Sequence, residues 1–187
     1  MTGRMSDPLQ FEAFMRNYQD MVFTAALRLV GNEADAEDIA QAVFLRAYPH
    51  FDQLRHSPTV GGWLKTVTRN LSLNHLTRYR ARWRFFSECD DQGESGEHHD
   101  FAANLPAPDV STQAVDAADQ RNLLESALQK LPATQRVPLV LYHFDSLSYE
   151  EIAAKLRVSL GKVKTDIHRG REALRQRLMR NPEAAPA

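Results

Sequence analysis

Residues 148–177 read SYEEIAAKLRVSLGKVKTDIHRGREALRQR, two short helical patterns joined by a tight turn and ending in a basic tail. In the first, Tyr149, Ile152, Ala153 and Leu156 recur one turn apart, and Ser148 and Glu151 have the spacing of a capping box. In the second, Ser159 is placed to cap, Val158 and Val163 stand at hydrophobic-staple spacing, and Val163, Ile167, Gly170, Leu174 and Leu178 form an apolar stripe. Lys164, His168, Arg171 and Arg175 fall on the opposite face. A helix with one apolar and one cationic, hydrogen-bonding seam, entered from a short helix across a tight turn, is what a helix-turn-helix needs to seat its second helix in a DNA major groove. An antiparallel helical hairpin with a solvated charged face is the other architecture this pattern allows.

The rest of the chain narrows the choice. At 187 residues, 43% apolar and 25% charged, it has the make-up of an ordinary globular protein of one or two domains. No apolar run approaches the roughly 18 residues that span a bilayer, and MTGRMSDPLQ lacks the apolar core of a signal peptide, so a cytoplasmic location is expected. Cys89 is the single cysteine, which excludes an internal disulfide and a multi-cysteine zinc site. The net charge of −1 is uneven along the chain. Between Ser87 and Gln120 stand Glu88, Asp90, Asp91, Glu94, Glu97, Asp100, Asp109, Asp116 and Asp119, with no Lys or Arg, so the average hides two basic lobes and an acidic connector.

In the N-terminal lobe, Phe11, Phe14, Met15, Tyr18, Val22, Ala25, Ala26 and Leu29 keep a helical period, which Gly31 is placed to end in a left-handed cap. Asn32 then caps a second helix with Asp35, Glu37 and Asp38 in its opening turns and Ile39, Ala40, Val43, Phe44, Ala47 and Tyr48 on its apolar face, up to Pro49. Those acids suit the helix macrodipole without any further role. HFDQLRHSPTVGG, residues 50–62, reads as a loop broken by Pro58 and the Gly61-Gly62 pair. A third helix follows, WLKTVTRNLSLNHLTRYRARWRF, with Trp63, Leu64, Val67, Leu71 and Leu76 inward and Lys65, Arg69, Asn70, Asn74, Arg78, Arg80, Arg82 and Arg84 outward. Cations at its end suit the helix dipole. Two asparagines at i, i+4 among arginines, near Trp63, Tyr79 and Trp83, add amides for base edges and aromatics for stacking, as single-strand recognition needs. Trp63 lies on the apolar stripe and is expected in the core.

SECDDQGESGEHHDFAANLPAPDVSTQ, residues 87–113, has no sustained period and reads as a flexible acidic linker. Its Cys89, His98 and His99 lack a fourth ligand, and no metal or other cofactor is expected. Helical periodicity resumes with Ala117, Leu123, Leu124, Ala127, Leu128 and Leu131 until Pro132 breaks it. A helix over about 134–144 turns Val137, Val140, Leu141 and Phe144 to one side, with Pro138 tolerable only near its first turn. The C-terminal lobe is too small for a catalytic cleft of its own.

Together these segments resemble the extracytoplasmic-function (ECF) class of bacterial sigma factors, the small alternative initiation subunits of RNA polymerase, over nearly all of residues 11–178. DAEDIAQAVFLRAY is similar to the family's polymerase-binding helix, WLKTVTRNLSLNHL to its promoter-melting segment, and LPATQRVPLVLYHFDSLSYEEIAAKL with VSLGKVKTDIHRGREALR to its minus-thirty-five reader. The resemblance implies an all-α protein of two small helical domains. These are a sigma2-like bundle over 8–86 and a sigma4-like helix-turn-helix domain over 117–180, joined by the acidic linker 87–116 and followed by a disordered tail 181–187. It implies that Asp35, Asp38, Gln41, Phe44, Leu45 and Arg46 dock on the polymerase clamp coiled coil, giving the acids a role beyond the dipole, and that the C-terminal domain meets the polymerase flap. Lys65, Arg69, Asn70, Asn74, Arg78 and Arg80 would bind the minus-ten region. There Asn70 and Asn74, with the segment around Phe51 to Ser57, would hold an extruded base, whose unstacking costs a few kcal/mol. Lys162, Lys164, Thr165, His168, Arg169 and Arg171 would bind the minus-thirty-five element.

Three positions depart from the family pattern. Ala42 replaces the usual acid, and Lys162 and Asp166 stand where threonine and arginine are more common, so no minus-thirty-five sequence carries over. Arg157 fills the usual glycine of the turn, at a cost of about 1 kcal/mol if its backbone is left-handed. The family also implies an anti-sigma partner, often membrane-anchored, and neither a small-molecule substrate nor enzymatic activity. A stand-alone dimeric helix-turn-helix regulator is the alternative, although no heptad seam offers a dimer interface.

Overall fold

The computed structural model describes residues 8–87 and 114–179, with side chains over 8–77 and 120–179. Among the described residues the fold is entirely helical: α1 (Pro8–Val30), α2 (Glu33–Ala47), α3 (Phe51–Leu54), α4 (Val60–Ser87), α5 (Ala114–Gln129), α6 (Ala133–His143), α7 (Tyr149–Leu156) and α8 (Leu160–Met179). Cys89, His98 and His99 lie outside the described residues.

Local signals set most helix ends. The α1–α2 corner turns on Gly31, left-handed at φ +79°, and on Asn32, whose side chain accepts from the Asp35 amide at 2.8 Å. At α7, the Ser148 hydroxyl accepts from the Glu151 amide and the Glu151 carboxylate accepts from the Ser148 amide, the reciprocal bonds of a capping box. Ser159 accepts from the Lys162 amide to start α8. Between them Arg157 adopts φ 56°, ψ 46°, the left-handed geometry that only glycine enters freely. Left-handed strain of about 1–2 kcal/mol, less the extra chain entropy of glycine, predicts that Arg157→Gly stabilises the C-terminal helices by about 0.5–1 kcal/mol. A thermal melt should then shift up by about 2–6 °C, and an unchanged midpoint would contradict this.

Two hydrophobic clusters hold the helices. The first joins α1 to α4 through Val22, Ala26, Val43, Phe44, Phe51 and Leu64. Phe51 meets Phe11 and Phe14 edge to face, with centroids 5.2 and 5.4 Å away. The second gathers Leu128, Leu131, Val137, Leu141, Ile152, Val163 and Ile167 of α5 to α8, and it takes in Leu29 of α1.

The structure redraws four details. Residues 51–54 form a helical turn whose Phe51 and Leu54 are core, and α4 starts at Val60, carrying Gly61 and Gly62 in its first turn. The deep seam of α4 is Val60, Leu64, Thr68 and Ser72, while Trp63, Val67 and Leu71 flank it half-buried. Small hydroxyl residues let α1 and α2 approach, and Thr68 returns its proton to the Leu64 carbonyl at 2.8 Å. α6 continues through Pro138, its sixth residue, leaving the Thr134 carbonyl without its usual helical donor. Finally, Asp166 belongs to the buried face of α8, between Val163, Ile167 and Gly170.

Candidate nucleic-acid and polymerase interfaces

The helix-turn-helix presents α8 with its apolar side down. Val163, Asp166, Ile167 and Gly170 are buried, and Gly170 is required there because a Cβ would stand 3.2 Å from the Gln135 carbonyl oxygen. Lys162, Lys164, Thr165, His168 and Arg169 all lie exposed, within the first half of the helix, where a recognition helix reads base edges. Two members of the set are partly engaged within the protein. Lys162 Nζ lies 3.5 Å from Asp166 Oδ2, which brings these two departures from the family pattern together as an ion pair. Arg171 donates from Nε to His143 Nε2 at 3.2 Å and lies over the Tyr142 ring. Desolvation, and then the Arg171 charge, lower the His143 pKa, so its neutral ring accepts that bond.

On α4, Asn70 and Asn74 are exposed one turn apart, free to meet a nucleic-acid strand side by side. Lys65 and Arg69, likewise one turn apart, face elsewhere: they line a cleft with Arg28 of α1 and with Phe144 and Asp145 after α6. The structure thus separates the asparagines from two cations that the sequence grouped with them. Asp145 in this cleft has its pKa raised by desolvation, against the opposing pull of Arg69, Lys65, Lys155 and Arg28. Arg78 and Arg80 belong to the last turns of α4, beyond the described side chains.

The α2 face carries Asp38, Gln41, Leu45 and Arg46 into solvent. Leu45 is 69% exposed, an apolar side chain among charges that calls for a partner surface. Phe44 is only 5% exposed and braces the helix from inside, so any contact it makes with a partner is indirect. Asp35 is occupied within the lobe, with Oδ2 3.0 Å from His75 Nε2 and close to Asn32 Nδ2.

Sequence reasoning passed over the polar junction between the two lobes. Arg136, 5% exposed, donates through Nη1 to the Leu131 carbonyl at 2.9 Å and the Gln129 carbonyl at 3.3 Å. Through Nη2 it donates to the Val30 carbonyl at 3.0 Å, across to the end of α1. A Cβ on residue 31 would fall within the guanidinium, so Gly31 serves this contact as well as its own backbone angle. Burial lowers the Arg136 pKa, although a guanidinium stays charged. Arg28 donates from Nε to both carboxylate oxygens of Glu125, at 2.9 and 3.0 Å, pairs with it again through Nη2, and stacks 4.1 Å over Phe144. The one advance sign was an arginine three residues after Pro132 in an otherwise apolar helix start.

A family model for sigma-70 region 2 matches residues 14–82, and one for sigma-70 region 4 matches residues 121–174. The ECF RNA polymerase sigma factor SigW of Bacillus subtilis is 32% identical over 161 residues, spanning 86% of this chain and 84% of that protein. The RNA polymerase sigma-E factor of Streptomyces coelicolor is 31% identical over 175 residues, spanning 94% of this chain and 89% of that one. Among solved structures, the sigma factor RpoE in complex with the anti-sigma factor NepR from Bartonella quintana aligns with a TM-score of 0.46 at 24% identity, over 92% of this chain and 98% of that one. With both sigma-70 regions present in order and whole-length relatives above 30% identity, this chain belongs to the ECF family of RNA polymerase sigma factors.

Proposed function

We propose that this chain divides the work of a sigma factor among three surfaces. As a sigma factor it binds core RNA polymerase and directs promoter-specific initiation. The exposed α2 face of Asp38, Gln41, Leu45 and Arg46 docks on the clamp coiled coil, and the C-terminal lobe meets the flap. Asn70 and Asn74, with Lys65, Arg69, Arg78 and Arg80, hold the melted minus-ten strand. Lys162, Lys164, Thr165, His168, Arg169 and Arg171 read the minus-thirty-five duplex. The protein performs no reaction of its own, takes no cofactor or small-molecule substrate, and works in the cytoplasm beside polymerase. Among the described residues no helix is long and apolar enough to cross a membrane. An anti-sigma partner, membrane-anchored or free, would hold it silent. The domain limits that fit this division are 8–86 and 117–180.

The observation that carries the reading is the pairing, in one chain, of an outward asparagine pair on α4 with an outward cationic face on α8. One surface suits unpaired bases and the other suits a duplex groove. Binding of a promoter fragment by the polymerase holoenzyme tests it. Lys164→Ala or Arg169→Ala should weaken binding by about 1–3 kcal/mol where the residue reads a base, or lower the salt slope by about one where it meets only phosphate. Unchanged affinity and slope in both variants would remove α8 from the interface. A palindromic footprint and dimeric gel-filtration mass without polymerase would favour the stand-alone regulator instead.

A further inference from the structure

The contacts that join the lobes use groups with poor alternatives. Leu29 is 2% exposed and lies in the second hydrophobic cluster, so separation would return it to water. Arg136 already satisfies the carbonyls that close α5, and its second nitrogen reaches the carbonyl of Val30, where the negative end of the α1 dipole favours a cation. Arg28 and Glu125 form a two-pronged pair between α1 and α5, both side chains about three-quarters covered. In the same junction, Phe144 and Asp145 close over Lys65 and Arg69. The Nε of Arg69 is buried with no hydrogen-bond partner, as expected of a guanidinium built for an anion it does not meet in this arrangement.

This arrangement cannot be the working one. Promoter elements centred near minus ten and minus thirty-five are some 25 base pairs apart, or about 85 Å at 3.4 Å per base pair. Two lobes in direct contact cannot occupy both. The connector at 88–113 has a contour length of at most about 90 Å, so its length permits the lobes to part.

We propose that the C-terminal lobe latches onto α1 and α4 of the same chain as an autoinhibitory contact. The Arg28–Glu125 pair and the Arg136–Val30 bond hold it, and Lys65 and Arg69 are withheld from nucleic acid until it opens. The proposal rests on the sigma-factor reading and on the minus-ten role given there to Lys65 and Arg69. The latch accounts for why two of the cations on α4 turn from the asparagines they would serve. It also makes polymerase binding and promoter access a single event, because docking the lobes at separate sites breaks the contact that masks the DNA-binding side chains.

The test uses the full chain. Small-angle scattering of the unmodified protein should give a pair-distance distribution with one maximum. Glu125→Arg should split it into two, and Arg28→Glu combined with Glu125→Arg should restore one by reversing the pair. Binding of a fluorescent oligo-dT strand should tighten several-fold in Glu125→Arg. The dependence of log affinity on log salt should steepen by about 1.4 as two cations become available to single-stranded phosphates. A two-lobed unmodified chain would overturn the latch without depending on any variant's folding. So would a Glu125→Arg chain, and the milder Glu125→Gln, matching the unmodified protein in both scattering and salt slope. Run-off transcription with core polymerase separates the two levels. Promoter-directed transcripts from chains whose scattering and oligo-dT binding never differ would reject the latch alone, whereas a chain that opens but starts transcription nowhere would reject the sigma reading and the autoinhibitory role with it.

Discussion

Replacing Arg136 with alanine is expected to lower the unfolding free energy by about 3–5 kcal/mol. Its guanidinium supplies donors to the carbonyls of Gln129 and Leu131 within the C-terminal lobe and to Val30 at the end of α1. Hydrogen bonds from a charged donor contribute about 1.5–3 kcal/mol each, and a buried carbonyl left without a partner costs about 1–3 kcal/mol. These terms overlap and do not add fully, and water entering the space recovers part of them, so the range stays below their sum. Arg136→Lys should lose nearly as much, because a single ammonium on a flexible stem does not reproduce a planar fork serving both helix ends. Urea unfolding followed by far-UV circular dichroism measures this. A loss below about 1 kcal/mol would mean that solvent replaces the guanidinium, and the junction would then be loosely held.

The second large effect concerns the melted strand. Asn70→Ala and Asn74→Ala leave the core untouched, since both side chains are exposed, yet each should reduce promoter opening about 10- to 100-fold, the equivalent of about 1–3 kcal/mol per specific base contact. The double variant should affect opening more than either single change and leave the first, closed binding of polymerase to duplex nearly unchanged. Permanganate reactivity of unpaired thymines separates those steps. Equal losses in closed binding and opening would move the asparagines from base capture to general affinity.

The parts of this structure that were legible in the sequence are those fixed by neighbours three or four residues away. The Ser148–Glu151 capping box, the Gly31 turn with its Asn32 cap, the left-handed cost at Arg157 and the inward face of α8 all follow from short-range spacing. Errors arose where a hydroxyl or charge occupied a position that apolar periodicity does not mark. Thr68 and Ser72 line the deep seam of α4 because they are small, not because they are hydrophobic. Asp166 shares the buried face because Lys162 stands one turn before it. Phe44 looked equally fit for core and docking face, and its burial assigns it to the core. The junction was hidden for a different reason: Arg136 and Val30 are 106 residues apart, and no local pattern encodes which carbonyl a distant guanidinium will find.

The central claim is that this chain is an initiation subunit whose recognition surfaces act only on polymerase. Run-off transcription with purified core polymerase on a pool of genomic fragments tests it most directly. Promoter-specific transcripts should appear when the protein is added and be absent without it, with the minus-ten region open at the start sites. Core polymerase that gains no specific start sites from the protein, on any fragment of the pool, would contradict the account.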